Sequence, residues 1–410
     1  TLYHDLKWGE ETYILPCVRL FLKQVMVQAA LSARLCGAPC LSWRVSMPNA
    51  LPLPRQERYL DMVRALSEEV ASETGMPLNS QVPSVLYATE NQAGGLYFKS
   101  QNEVNVRSGY IMIDIGGGTT DISLWLGGAQ HATLETSLLL GCRQMLFNSL
   151  STHHLDEFSL DFEQADEELK APVRELVQAL AGGIANIRGR QKSMLLLDDF
   201  FASYAQGIWR MMECVRNQGQ VSYVECLLLL NIGFLFHLCG ELLNLAWQDP
   251  KNKDQLHERL EICIAGNGGQ LLKAFDNETK AKFCRLALQQ LSSGHPLRAL
   301  TLVQSRHPKQ EVAIGLLSEE QRMASTVQGE QGMVRIPEMS DHEIHHHVLR
   351  SFPVRFYNAF PLAADRLMPT VFQNGQDGIA LTPAARLELD TIVDNEFFEP
   401  NSDVFIAYVR

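Results

Sequence analysis

The chain has 410 residues, 46% of them hydrophobic and 20% charged, an ordinary globular composition that excludes disorder as its main state. Its 35 Lys and Arg stand against 47 Asp and Glu, a formal charge of -12, so no basic field is available to neutralise a nucleic-acid backbone. The nine cysteines include no Cys-x-x-Cys pair and mostly lie in apolar stretches, as small buried hydrophobes in a reducing cytoplasm do.

In chain order, the sequence opens without an initiator Met or a basic-then-apolar leader, and reads as a processed or trimmed chain. Phe21, Val25, Ala29 and Ala33 recur at helical spacing and predict a helix over 18–35, stopped by Gly37 and Pro39. Leu41, Trp43, Val45 and Met47 alternate with polar residues, which predicts a strand with one buried face. Pro54 suits the first turn of a helix running to Thr74, with Gly75 and Pro77 beyond its end. Tyr110–Ile115 and Asp121–Leu126 are apolar strands on either side of a glycine turn, hence a β-hairpin. Residues 151–225 are rich in helix formers and predict a helical insertion. Cys226–Trp247 is long enough to span a bilayer. Asn231, His237, Glu241 and Asn244 interrupt it, however, and no basic flank marks a cytoplasmic side, so a buried core helix is expected and no membrane span. A short strand over 260–265 then runs into Gly266-Asn267-Gly268-Gly269, and residues 318–410 form a tail of separate composition. That tail holds a histidine cluster and a helix opened by Thr382 and Pro383.

The most informative string is Asp114-Ile115-Gly116-Gly117-Gly118-Thr119-Thr120-Asp121. Consecutive glycines leave backbone N–H groups unshielded and permit positive φ, so the turn can wrap a phosphate, with Thr119 and Thr120 adding hydroxyl donors. Asp114, at the end of a buried strand, suits a hydrated Mg2+ bridging phosphates, or a water that it would orient.

This string resembles the second phosphate loop of the actin-like ATPase superfamily, which includes actin, sugar kinases, heat-shock chaperone ATPase domains and the bacterial cell-division and cell-shape actins. Three further segments match in the family's order. Ala88–Gly95 is similar to the connecting helix, with Asn91 where Pro is usual; Ile264–Gly269 resembles the adenosine loop; Pro308–Leu317 resembles the closing helix of the second domain. Leu140-Gly141-Cys142 is similar to the small-residue turn after the hairpin.

The resemblance implies an α/β, ribonuclease-H-like two-domain ATPase fold. Residues 1–108 would be the C-terminal part of an incomplete first domain. Residues 109–317 would be the second domain with its insertion at about 151–225, and residues 318–410 a C-terminal extension. It further implies ATP and Mg2+ as ligands, with Asp114 serving the metal and Glu90 or Asp121 orienting the attacking water. Gly116, Gly117, Gly118, Thr119 and Thr120 would hold phosphates, and Gly266, Asn267, Gly268 and Gly269 the adenosine. Arg143, Arg188, Arg190 and Lys192 are cations that could reach the nucleotide. Closure of the two domains would be read by a protein partner or by self-association, in the cytoplasm. The family's first phosphate loop has no counterpart in the sequence, which therefore reads as a piece of a longer protein or as a relative that has lost hydrolysis.

Three other functions compete. An actin-like scaffold or nucleotide sensor would act through its surface, and a sugar or acetate kinase would need a polar substrate cleft. His342-Glu343-Ile344-His345-His346 fits the His-Glu-x-x-His pattern of zinc hydrolases but lacks an identifiable third ligand, and a solvated or partner-facing helix is the expectation there.

Overall fold

The computed structural model describes residues 14–47, 53–102, 104–105, 107–127, 129, 132–138, 140–142, 145, 160–162, 167–183, 187–318, 351–368, 371–375 and 378–383. The histidine cluster at 342–347 and Arg143 lie outside these residues, as do the side chains of Arg188, Arg190 and Lys192. Pro383 is helical, but the rest of the helix expected after Thr382 also lies outside them.

The first unit is a parallel strand pair under two helices. Helix α1 (Ile14–Leu35) lies on α2 (Leu53–Thr74), where Met26 and Ala30 meet Leu66, Val70, Leu41 and Met76. Strands β1 (Trp43–Met47) and β2 (Val85–Thr89) pair in parallel, Trp43 opposite Val85. The expected one-sided burial of β1 is blurred: only Met47 is fully buried, because a two-stranded sheet leaves the outer strand half open on both faces. Helix α3 (Glu90–Ser100) follows β2 directly, capped by Thr89, whose hydroxyl accepts from the Gln92 N–H at 3.0 Å.

The second unit is a five-stranded mixed sheet in the order β5-β4-β3-β6-β7. The strands β3 (Tyr110–Ile115), β4 (Thr120–Trp125) and β5 (Leu134–Leu138) form an antiparallel meander; β6 (Arg259–Ala265) and β7 (Ala299–Gln304) run parallel to β3. Period-two alternation divides the strands between two cores. Ile111, Ile113 and Ile115 face the large core, whereas Tyr110 and Met112 face α3 with Trp125 and Cys263. Glycines bring α3 against that second face, since a methyl group on Gly94 would press on the Met112 sulfur and one on Gly95 would overlap the Trp125 ring.

The large core is organised by α6 (Tyr223–Gln248), whose most apolar stretch is 89% buried in protein. Length and composition alone would allow this helix to cross a membrane; packing makes it the core helix expected from its polar interruptions. Its N-cap is Ser222, and α7 (Asn277–Leu288) crosses it so closely that a Cβ on Gly240 would overlap the Ala287 carbonyl. The insertion comprises α4 (Glu167–Gly183) and α5 (Ile187–Asn217), the latter kinked at Tyr204. The six-residue α8 (Glu311–Leu316) closes the second unit.

Part of the tail shares this core. Phe352 and Phe356, on a helix (α9) covering 351–359, join Phe360, Ala363, Ala364 and Leu367 of the following α10 (Pro361–Arg366) region. Phe372 and Leu381 join them from the hairpin β8 (Phe372–Gly375) and β9 (Gly378–Leu381). Phe352, Phe356 and Phe360 fall four residues apart, so one face carries three rings into contact with Phe234 and Phe283.

Candidate functional site

The β3–β4 turn, the loop after β6, the N-terminal ends of α3 and α8, one face of α5, and β1 converge on a cleft of about 1300 Å³. Asp114 enters it from β3 on the side of Tyr110 and Met112, half buried. Gly116 N–H donates to the Thr119 carbonyl at 2.8 Å, so Gly117 and Gly118 form the tip of a two-residue turn. From the other side, Cys142 N–H donates to the Gly116 carbonyl at 3.0 Å.

The three glycines do not serve the backbone as the sequence suggested, for none adopts a left-handed φ. A Cβ on Gly116 would crowd the Thr119 carbonyl at 2.9 Å, whereas Gly117 and Gly118 have nothing within 4 Å of where a side chain would project. Neither internal packing nor a special φ therefore requires glycine at the tip. One side of the Gly117–Gly118 peptide packs on Gly141; on the other, the missing side chains leave backbone that a phosphate group can approach closely.

The loop after β6 reaches the same place by close packing. Gly266 takes φ +73°, and a side chain there would collide with Asp114 Oδ1 and lie 2.6 Å from the Ile115 carbonyl. Gly268 packs on Ile115 and Cys142, and Gly269 on Ile264. Gly266, Asn267 and Gly268 line the cleft; Gly269 is buried beneath them.

Two expectations change at the hairpin. Asp121 is the cross-strand partner of Asp114 but does not line the cleft: it is buried and accepts the Ser137 hydroxyl. Thr119 and Thr120 are buried too, with the Thr120 hydroxyl donating to the Leu140 carbonyl, so neither offers a donor to the cleft lining. Alternation along a strand identifies a shared face but not how far along it the cleft extends. Glu90 does line the cleft, in the first turn of α3, where a carboxylate suits the helix dipole. The unusual Asn91 is buried beside it, its amide donating to the Ile122 carbonyl at 3.4 Å.

The sequence reading missed the wall supplied by α5. Trp209, Met212, Glu213 and Arg216 fall at i, i+3, i+4 and i+7, one helical face, and all four line the cleft. Trp209 remains 37% exposed. Arg216 is held by Glu225 Oε1 at 2.6 Å; burial raises the Glu225 carboxyl above its usual range, and Arg216 opposes that shift. Lys273 and Lys309 also line the cleft, as do Arg44 and Glu311.

Among the described residues no three His, Cys, Asp or Glu side chains cluster to ligate a metal unaided. Asp114, the cleft-lining carboxylate on the strand that runs into the glycine turn, is a donor that fits Mg2+, which keeps most of its waters and takes one or two carboxylates plus phosphate oxygens. The cradle, the cations and an exposed tryptophan likewise fit a nucleotide.

The sheet is an antiparallel meander followed by two parallel strands, with these loops at one end of it. The sheet order and strand directions agree with the ribonuclease-H-like fold that the resemblance implied. No protein family and no curated protein matches the chain by sequence. Among solved structures, it is similar to MreB5 of Spiroplasma citri bound to ADP, with 12% identity over 79% of each chain and a TM-score of 0.32. It is also similar to the same protein bound to AMPPNP, with 14% identity over 70% of this chain and 69% of that one and a TM-score of 0.29.

Proposed function

We propose that this actin-like chain binds ATP with Mg2+ in the cleft between its two units. The reading rests on one observation above all: Gly117 lines the cleft at the tip of the turn, and a side chain there or on the neighbouring Gly118 would meet nothing within 4 Å, so internal packing does not call for glycine at either position. Their amides hold phosphate oxygens. Asp114 holds the water shell of Mg2+, which when bound neutralises phosphate charge. Gly266, Asn267 and Gly268 lie against the adenosine, and Trp209 offers a ring on which the purine stacks. Lys273, Lys309 and Arg216 supply positive charge around the polyphosphate.

Glu90 is the carboxylate that orients a water for attack on the γ-phosphate. Asp121 is withdrawn from that role by its bond to Ser137. Hydrolysis then depends on Glu90 alone among the carboxylates that the sequence offered for it. That dependence favours a second reading, a nucleotide sensor or scaffold in which binding without turnover draws the two units together for a protein partner.

Calorimetric titration of ATP with Mg2+, paired with phosphate-release assays, tests both readings. Binding lost in Asp114→Ala with release abolished in Glu90→Gln supports the ATPase; binding without release supports the sensor. Wild-type protein that binds no nucleotide refutes both.

A further inference from the structure

We infer that Glu311 is a positioning residue that fixes the nucleotide loop against Asp114 and ties it to the first unit. The consequence for ligand binding rests on the nucleotide reading above; the structural part does not. Glu311 is only 2% exposed yet lines the cleft, and its Oε1 accepts the Gly266 N–H at 3.2 Å. Gly266 is left-handed, and a Cβ on it would collide with Asp114 Oδ1, so the loop residue that Glu311 holds also packs beside Asp114.

The helix bearing Glu311 is itself locked. A Cβ on Gly315 would overlap the Ala93 carbonyl of α3, and Arg44 of β1 donates to the Leu316 carbonyl at 2.5 Å. Within six residues α8 therefore touches the nucleotide loop, the helix that begins with Glu90, and β1. A buried carboxylate is costly to desolvate, and hydrophobic residues would fill the site more cheaply. What the glutamate contributes is an acceptor that reaches the Gly266 amide. Displacement of the first unit moves α8, and Glu311 carries that displacement to Gly266.

The test compares wild type, Glu311→Gln and Glu311→Ala by hydrogen exchange over residues 266–270 in nucleotide-free protein and by Mg-ATP calorimetry. Glu311→Gln keeps the acceptor and is expected to match wild type within about threefold in both. Glu311→Ala is expected to raise exchange and weaken affinity by about tenfold, the cost of leaving the Gly266 N–H without its acceptor. Unchanged exchange in Glu311→Ala overturns the inference, as does Glu311→Gln behaving like Glu311→Ala. If Glu311→Ala does not fold, Glu311→Asp, one methylene short of the amide, must loosen the same segment. Faster exchange in a protein that binds no nucleotide would retain the positioning role and refute the nucleotide reading alone.

Discussion

Asp114 and Asp121 sit directly opposite each other across the β3–β4 hairpin, yet only Asp114 lines the cleft; Asp121 accepts the Ser137 hydroxyl from the next strand. Their roles therefore separate. Asp121→Ala is expected to cost about 1–3 kcal/mol of stability, because it leaves a buried hydroxyl unpaired. Its nucleotide affinity should stay within about twofold of wild type, the scatter of a substitution away from the ligand. Denaturant melts and binding isotherms of the same variant check this; lost affinity in a fully stable protein would return Asp121 to the site.

Gly315 presses its Cα against the Ala93 carbonyl, where even one methyl group has no room. Gly315→Ala should destabilise the fold by about 1–3 kcal/mol, the usual cost of overpacking, by forcing α3 and α8 apart. Thermal melts measure it, and an unchanged melting temperature would mean that the two helices slide without cost.

His295 is buried against the Trp247 ring, and burial lowers its basicity below the ordinary imidazole value. Between the unfolded value of about 6.5 and the depressed folded value, the unfolded chain binds the extra proton, so stability falls as pH drops below about 6.5. Urea unfolding at pH 7.5 and 5.5 should show a smaller loss in His295→Gln than in wild type. Equal losses would place the acid sensitivity elsewhere.

Trp209 is the exposed ring of the cleft wall. Mg-ATP should alter the emission that disappears in Trp209→Phe, and Trp209→Ala should lose about 1–3 kcal/mol of binding, the scale of base stacking on an aromatic side chain. Nucleotide binding with no change in that emission would remove the ring from the purine site.

Much of this was legible in the residues. The apolar run over 110–115 marked β3 as a buried strand, and the interruption of 226–247 by His237 and Glu241 marked a core helix. The hairpin and both glycine loops stood in the sequence; only the second needs its glycines for the backbone, with Gly266 at φ +73° against Asp114. Three features were not legible, for distinct reasons. The Trp209–Arg216 face looks like any amphipathic turn until tertiary packing sets it beside the Gly266 loop. Asp121 became structural through Ser137, a partner sixteen residues away that no local pattern announces. The Phe352, Phe356 and Phe360 spacing was visible, but only contact with Phe234 and Phe283 shows that the tail belongs to the core.

On the proposed reading, Gly117 and Gly118 are glycine for the sake of a bound phosphate. Gly117→Val tests it most directly, by Mg-ATP calorimetry alongside a thermal melt. A Cβ at this position has nothing within 4 Å and the residue needs no left-handed φ, so the melting temperature should hold while affinity falls by about tenfold or more, at roughly 1.4 kcal/mol per tenfold. A variant that binds Mg-ATP as tightly as wild type would contradict the account, because the open turn would then have no ligand to explain it.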